Sequence, residues 1–379
     1  MSVSHNWAVL KFAGIIFASA LMFFLAGCAT PSNESEEGLP RDWTPSTNNT
    51  ATQVPTPPPV TNPIPPAVTV TNPPPTNPTP VVKPAPVQTW TSLNRWAAAS
   101  QLPSPRKLSN SPLMTYSETS KRGTLVLAIG SREATWNNVE IHLGYAPELV
   151  DNQVFVHGVD LQKNVEPLLL GCAMPALGTN RVIVIDPGHG GIKGGTISVL
   201  DKRAEKEFTL DLARRLKPLL EANGWQVFLT RTDDVDVALS NRVNFAEAHH
   251  ADLFLSLHFN SSAPDHRQSG LETYCMTPMG APSTLTRGYS DNWGDRFPNN
   301  AFDEANLIYA LRLHTFLLCN VGMEDRGVRR ARFMDVLQGQ HRPAVLIEGG
   351  YLSNPTEAGH IENADYRQKM AMAIANALK

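Results

Sequence analysis

The chain has 379 residues, a formal net charge of −3, 31 prolines and only four cysteines. Mixed charge with no basic excess argues against nucleic-acid binding by bulk electrostatics, which needs a cationic face to neutralise phosphates. Four cysteines are too few for a disulfide-built scaffold. Most of the proline excess lies between Pro40 and Pro86, so the globular part is shorter than the chain.

Residues 1–27 read as an export signal. Lys11 precedes an apolar run, Phe12 to Gly27, which is short for a membrane span of ~20 residues and ends in small residues. Leu25-Ala26-Gly27-Cys28 resembles a bacterial lipobox, which implies a lipid on Cys28 and attachment to a membrane through it. Ala29 in place of Asp resembles outer-membrane sorting in Gram-negative lipoproteins. The expected location is therefore the cell envelope, on its periplasmic face and lipid-anchored.

Residues 28–89 are dominated by Pro, Thr, Asn and Val, with Thr-Asn-Pro recurring at Thr61, Thr71 and Thr76. Such a stretch cannot bury enough apolar surface to offset its ordering entropy, so a disordered, extended Pro-rich linker is expected. At ~3.1 Å per residue in polyproline II it reaches on the order of 100 Å.

Residues 90–175 read as a small α+β module. Leu93–Ala99 fits a short helix, and Leu125–Gly130 and Val139–Leu143 fit strands, with turn residues Asn137-Asn138 before the second. Val154–Val156 and an amphipathic tail from Asp160 follow. The order of elements resembles the copper amine oxidase N-terminal-like stalk domain of bacterial envelope proteins, which implies a structural or wall-docking role.

Residues 176–379 alternate apolar runs with helical periodicity. Val182–Ile185, Val227–Leu229, Leu253–Leu257 and Ala344–Ile347 are continuous runs. Between and after them come helices over Glu205–Ala222, near Arg242–His250, over Asn306–Leu318 and from Ala358 onward. In the first helix Phe208, Leu212, Leu216 and Leu219 share a face, and Gly224 follows its end. Strands buried on both faces and separated by helices predict an α/β domain with a mostly parallel twisted sheet and flanking helices.

Chemistry collects where these runs stop. His189 lies just past the first, His258 directly follows Leu257, and Glu348 directly follows Ile347; Glu205 opens the first helix. In open α/β sheets the carboxyl ends of strands are where sites form. Two His and a Glu are a ligand set for one catalytic Zn²⁺ with a position left for water, and a further carboxylate can act as general base.

The longer strings Ile183-Val184-Ile185-Asp186-Pro187-Gly188-His189-Gly190-Gly191, Glu205-Lys206-Glu207-Phe208, Leu229-Thr230-Arg231-Thr232, Ser256-Leu257-His258-Phe259-Asn260 and Ile347-Glu348-Gly349-Gly350-Tyr351-Leu352-Ser353-Asn354 occur in this order. Together they resemble the zinc-dependent N-acetylmuramoyl-L-alanine amidases of the class that includes the cell-division amidases, over about Arg181 to Lys379. The resemblance implies His189, Glu205 and His258 as zinc ligands and Glu348 as the catalytic carboxylate. It implies peptidoglycan as substrate, cut at the amide between N-acetylmuramic acid and L-Ala, and leaves room for a protein activator. Lys193 stands where the family has Asp, and Ile192–Ala204 is slightly long, so the loop beside the metal is expected to differ in shape. A stem-peptide carboxypeptidase and a non-catalytic wall binder are the rival readings. The binder would lack a ligand or Glu348, and neither is missing.

Other residues receive bland expectations. The Gly-, Pro-, Ser- and Asn-rich insert Thr277–Asn300 is either a substrate-groove wall or an occluding segment. Arg231 either binds a carboxylate or pairs with Asp233 or Asp234. His249 and His250 are solvated or capping, and His266 sits in a surface loop. Cys319 is a buried thiol in an apolar helix, and no spacing supports a disulfide from Cys172.

Overall fold

The computed structural model describes residues 89–178 and 180–379. The signal-like run, Cys28 and the Pro-rich stretch lie outside the described residues. Among the described residues no helix is long and apolar enough to cross a membrane.

Residues 90–169 supply β1 (Trp90–Ser92), α1 (Leu93–Ala99), β2 (Arg106–Ser109), β3 (Thr115–Ser120), β4 (Gly123–Ala128), β5 (Glu133–Trp136), β6 (Val139–His142), β7 (Glu148–Val150) and β8 (Gln153–His157). They close with α2 (Gly158–Asp160), a π turn over Leu161–Val165 and α3 (Glu166–Leu169). Asn137 and Asn138 join β5 to β6 with φ of +50° and +68°. Such a left-handed pair favours Asn in a two-residue hairpin.

The remainder alternates as predicted: β9 (Val182–Pro187), α4 (Glu205–Ala222), β10 (Gln226–Leu229), α5 (Leu239–Ala248), β11 (Leu253–Asn260) and β12 (Leu271–Met276). Then come a 3₁₀ turn (Pro298–Phe302), α6 (Asp303–Val321), β13 (Asp325–Ala331), α7 (Asp335–Gln338), β14 (Ala344–Tyr351), α8 (Pro355–Glu362) and α9 (Ala364–Ala377).

One sheet runs through both segments in the order β10-β9-β11-β14-β12-β13-β6-β5-β4-β3-β2. β10, β9, β11 and β14 are parallel neighbours, β12 pairs antiparallel with β14, and β13 is parallel to β12. Residues 90–175 join this sheet where Ile141 of β6 pairs with Val328 of β13, and Glu140 N donates to Asp325 Oδ2 at 2.9 Å. The predicted α/β architecture with flanking helices is present, and the strands of the N-terminal module continue its sheet. β1, β8 and β7 form a separate three-stranded sheet.

The continuous apolar runs exist because alternate residues feed two cores. Ile183, Ile185, Leu253, Leu255, Leu257, Val345 and Ile347 pack with Phe208, Leu212 and Leu216 of α4 and Leu313 and Leu317 of α6. Val184, Phe254 and Leu346 point the other way, toward Ala246 and Leu337. Burying each such side chain contributes about 1.5–3 kcal/mol, and neither strand face can be polar.

One expectation, that for Cys319, needs correction, and two others gain detail. On α4 the fully buried residue of the last turn is Leu220, while Leu219 is half-buried. Cys319 is exposed: two positions past the buried Leu317, at ~100° per residue, it falls on the opposite side of α6. Cys172, Cys275 and Cys319 are all free thiols.

A candidate metal centre at the strand ends

The site begins with Asp186, buried at the end of β9. Its carboxylate accepts from Thr230 Oγ1 at 2.5 Å, Arg242 Nη1 at 2.6 Å and Ser256 Oγ at 2.9 Å, which ties β9, the residue after β10, α5 and β11 at one point. The turn that follows exposes several carbonyls, and arginines satisfy them. Arg231 donates to Pro187 O at 2.9 Å, Gly188 O at 2.9 Å and Lys206 O at 2.8 Å, and Arg242 Nη2 to His189 O at 2.8 Å. Arg231 therefore clamps backbone carbonyls, a role that neither sequence expectation covered. This bracing holds His189 at φ +61°, an unusual conformation for a non-glycine residue.

Two glycines let the histidines approach. A Cβ on Gly188 would lie 2.3 Å from the His258 ring, and one on Gly195 would lie 2.4 Å from Glu205 Oε2. Neither contact tolerates a side chain.

His189, Glu205 and His258 come together with one ligand atom from each, all within 4.8 Å of one another. Glu205 is the first residue of α4, where the helix dipole favours a carboxylate. His189 Nε2 lies 3.1 Å from Glu205 Oε2, and His258 Nδ1 lies 2.9 Å from Oε1. Phe259 N and Thr196 N donate to the same carboxylate at 3.0 Å each. Burial works against charge on Glu205, yet the hydrogen bonds and charges of the two imidazoles hold its carboxyl far below the usual range. The two His side chains keep 31% and 18% exposure while Glu205 keeps 4%. The cluster thus opens to solvent on the histidine side.

Glu348 stands beside this cluster, since β11 and β14 pair His258 directly with Glu348. Its Oε2 is buried and has no hydrogen-bond partner among the described residues. Burial pushes its carboxyl up to about 8, against the lowering effect of His258. On its other side β12 places Glu272 opposite Glu348. Glu272 accepts from Tyr274 OH at 2.7 Å, Arg326 Nε at 2.8 Å and Asn260 Nδ2 at 2.9 Å. Burial opposes its charge too, but Arg326 and Tyr274 hold its carboxyl below the usual range. Two neighbouring carboxylates are thereby pushed apart in acidity, a pattern typical of acid–base sites.

The donor set matches what a divalent metal with nitrogen and oxygen ligands requires: two imidazoles, one carboxylate and an open side for water. The unpartnered Glu348 Oε2 lies beside it, a buried polar atom without a partner among the described residues.

Other expectations resolve simply. His249 closes α5, with Nδ1 2.8 Å from Phe245 O and its ring packed against Phe228 and Phe245. His266, exposed, has Nδ1 2.8 Å from Ser353 O. Lys193 pairs with Asp236 at 3.4 Å in an exposed loop. Sequence reasoning missed Glu272, whose one signal was an acidic residue inside the apolar strand Leu271–Met276.

The family model described as N-acetylmuramoyl-L-alanine amidase matches residues 183–379. The chain is 32% identical over 246 residues to N-acetylmuramoyl-L-alanine amidase AmiC of Escherichia coli O6:H1, covering 58% of this chain and 58% of AmiC. It is 34% identical over 197 residues to N-acetylmuramoyl-L-alanine amidase LytC of Bacillus subtilis, covering 51% of this chain and 34% of LytC. The match thus spans little more than half the length of AmiC. Among solved structures, the catalytic domain of CwlV from Bacillus (Paenibacillus) polymyxa is 30% identical, with a TM-score of 0.43, over 52% of this chain and 96% of that one.

Proposed function

The chain belongs to the N-acetylmuramoyl-L-alanine amidase family, and from that membership we propose that it is a zinc-dependent peptidoglycan hydrolase cutting the amide between N-acetylmuramic acid and the L-alanine of the stem peptide. The observation that carries this reading is the convergence of His189, Glu205 and His258 beside a buried, unpartnered Glu348. His189, Glu205 and His258 would hold the ion. When bound, Zn²⁺ supplies Lewis acidity toward the scissile carbonyl and brings the pKa of water toward ~7.

The protein's own part follows from the geometry. Glu348 Oε2 faces no donor, so it is free to accept the proton of the attacking water. A cation held beside it would favour its charged form, and the proton it takes can then pass to the nitrogen of the departing L-alanine. Glu272 stands opposite Glu348 one strand away and is held charged by Arg326 and Tyr274.

The same reading extends to the envelope. Residues 1–27 direct export, lipidated Cys28 holds the chain to a membrane, with outer-membrane sorting, and residues 28–89 tether the enzyme at a distance. Peptidoglycan is then the substrate on the periplasmic face, and a protein activator is a fitting partner. Residues 90–175 brace the catalytic sheet, and 176–379 carry the chemistry.

Incubating the zinc-loaded full chain with a defined muramyl peptide tests the bond specificity. Release of the intact peptide beginning at L-alanine is expected; a shortened peptide would assign a peptidase instead.

A further inference from the structure

One charge at this site is not used by the proposed hydrolysis. Arg287 lies, exposed, in the loop between β12 and the 3₁₀ turn at Pro298–Phe302, with φ +48°. Its Nη2 donates to Asn260 Oδ1 at 3.1 Å, and Asn260 ends the strand that carries His258 two residues earlier. The guanidinium lies 5.6 Å from the centre of the Phe333 ring, against which Tyr289 stacks at 5.7 Å. Nearby Arg326 and Arg329 pair with Glu272, and Arg332 pairs with Asp291. Arg287 forms no ion pair among the described residues, although its charge is felt by Glu348.

The loop is held in place from outside. Arg132 Nη2 donates to Pro282 O and Ser283 O at 3.1 Å each, and Tyr145 OH donates to Gly280 O at 2.8 Å. Asp291 accepts from Ser283 N at 2.7 Å. A left-handed arginine persists when its surroundings over-determine it, and such strain concentrates at binding sites. The N-terminal module thus packs against the loop that carries Arg287.

The anion it would meet can be located by chemistry. In the proposed substrate the lactyl carboxyl is consumed in the scissile amide, and the sugar next to it carries neutral hydroxyl and acetamido groups. Negative charge near the cut bond is therefore on the peptide side. Resting on the amidase reading, we propose that Arg287 recognises a free carboxylate of the stem peptide and sets a preference for unamidated over amidated stems. A guanidinium suits this task because it offers paired donors to a carboxylate and none of the acceptors an amide NH₂ requires.

The test compares two muramyl peptides that differ only in a free carboxylate or a carboxamide on the residue after L-alanine. The full-length zinc-loaded chain should favour the carboxylate by about 10- to 100-fold in kcat/KM, mainly through KM, as expected for a charge-assisted pair. Arg287→Gln should bring this ratio close to one, and Arg287→Lys should retain part of it. Calorimetry with uncleaved peptide on the Glu348→Gln variant, with and without Arg287→Gln, should show the same preference in Kd and its loss. Equal rates on both peptides in the unmodified chain, or an equal loss on both in Arg287→Gln, would overturn the proposal while leaving the amidase reading intact. No cleavage of either peptide would overturn the amidase reading, and this proposal with it.

Discussion

His258 and Glu348 are direct register partners on the parallel strands β11 and β14, so a candidate metal ligand and a candidate proton acceptor are neighbours through one ladder position. Their relative placement depends on strand register and not on a loop, and a one-residue slip would turn one of them to the opposite face.

The first prediction concerns the carboxylate. Glu348→Gln keeps the shape and removes the proton-accepting charge. Zinc content, measured by atomic absorption, should stay near one per chain while kcat falls about 10²- to 10⁴-fold. An unchanged kcat would remove Glu348 from the mechanism.

Gly188 makes a second, steric prediction. Its missing Cβ leaves room for the His258 ring, which a methyl group would meet at 2.3 Å. Gly188→Ala should displace the imidazole and weaken zinc affinity about 10- to 100-fold, the range seen when a ligand's support is disturbed. Competition with a chromophoric chelator reads this directly. Wild-type affinity in the variant would mean that His258 does not ligate.

Asp303 yields a pH prediction away from the site. It opens α6, buried, with Lys163 Nζ 3.5 Å away and Asn300 donating to it at 3.0 Å. Burial raises its carboxyl to about 6 in the fold, against an ordinary value of 3.8. The folded state thus binds the proton more tightly than the unfolded one. This group favours folding most below pH 3.8, and the benefit is lost as pH rises through about 6. Asp303→Asn should therefore gain stability relative to the unmodified chain as pH rises from 4 to 7, by on the order of 1–3 kcal/mol. Denaturant midpoints at the two pH values measure it; a constant difference would show that Asp303 does not titrate there.

Much of this was legible in the chain because its signals were local. The runs at Val182, Leu253 and Ala344 read as strands since both faces are buried, and His189, His258 and Glu348 stood out as polar residues where those runs stop. The antiparallel insertion of β12 between β14 and β13, and the pairing of β6 with β13, join segments far apart in sequence and leave no periodic trace. Arg231 looked like a ligand for acidic groups, because nothing local reveals that the turn at Pro187 and Gly188 needs carbonyl partners. Cys319 was misjudged from the apolar character of its helix, where its angular position decides exposure. The contact of Arg287 with Asn260 joins residues 27 apart, on either side of β12, beyond the reach of motif reading.

Digestion of purified sacculi by the full chain, with and without a zinc chelator and with the soluble products read by mass spectrometry, tests the zinc-amidase reading. Intact stem peptides beginning at L-alanine are expected, abolished by the chelator and restored by added zinc. Cleavage that persists in the chelator, or stems cut between amino acids, would contradict it.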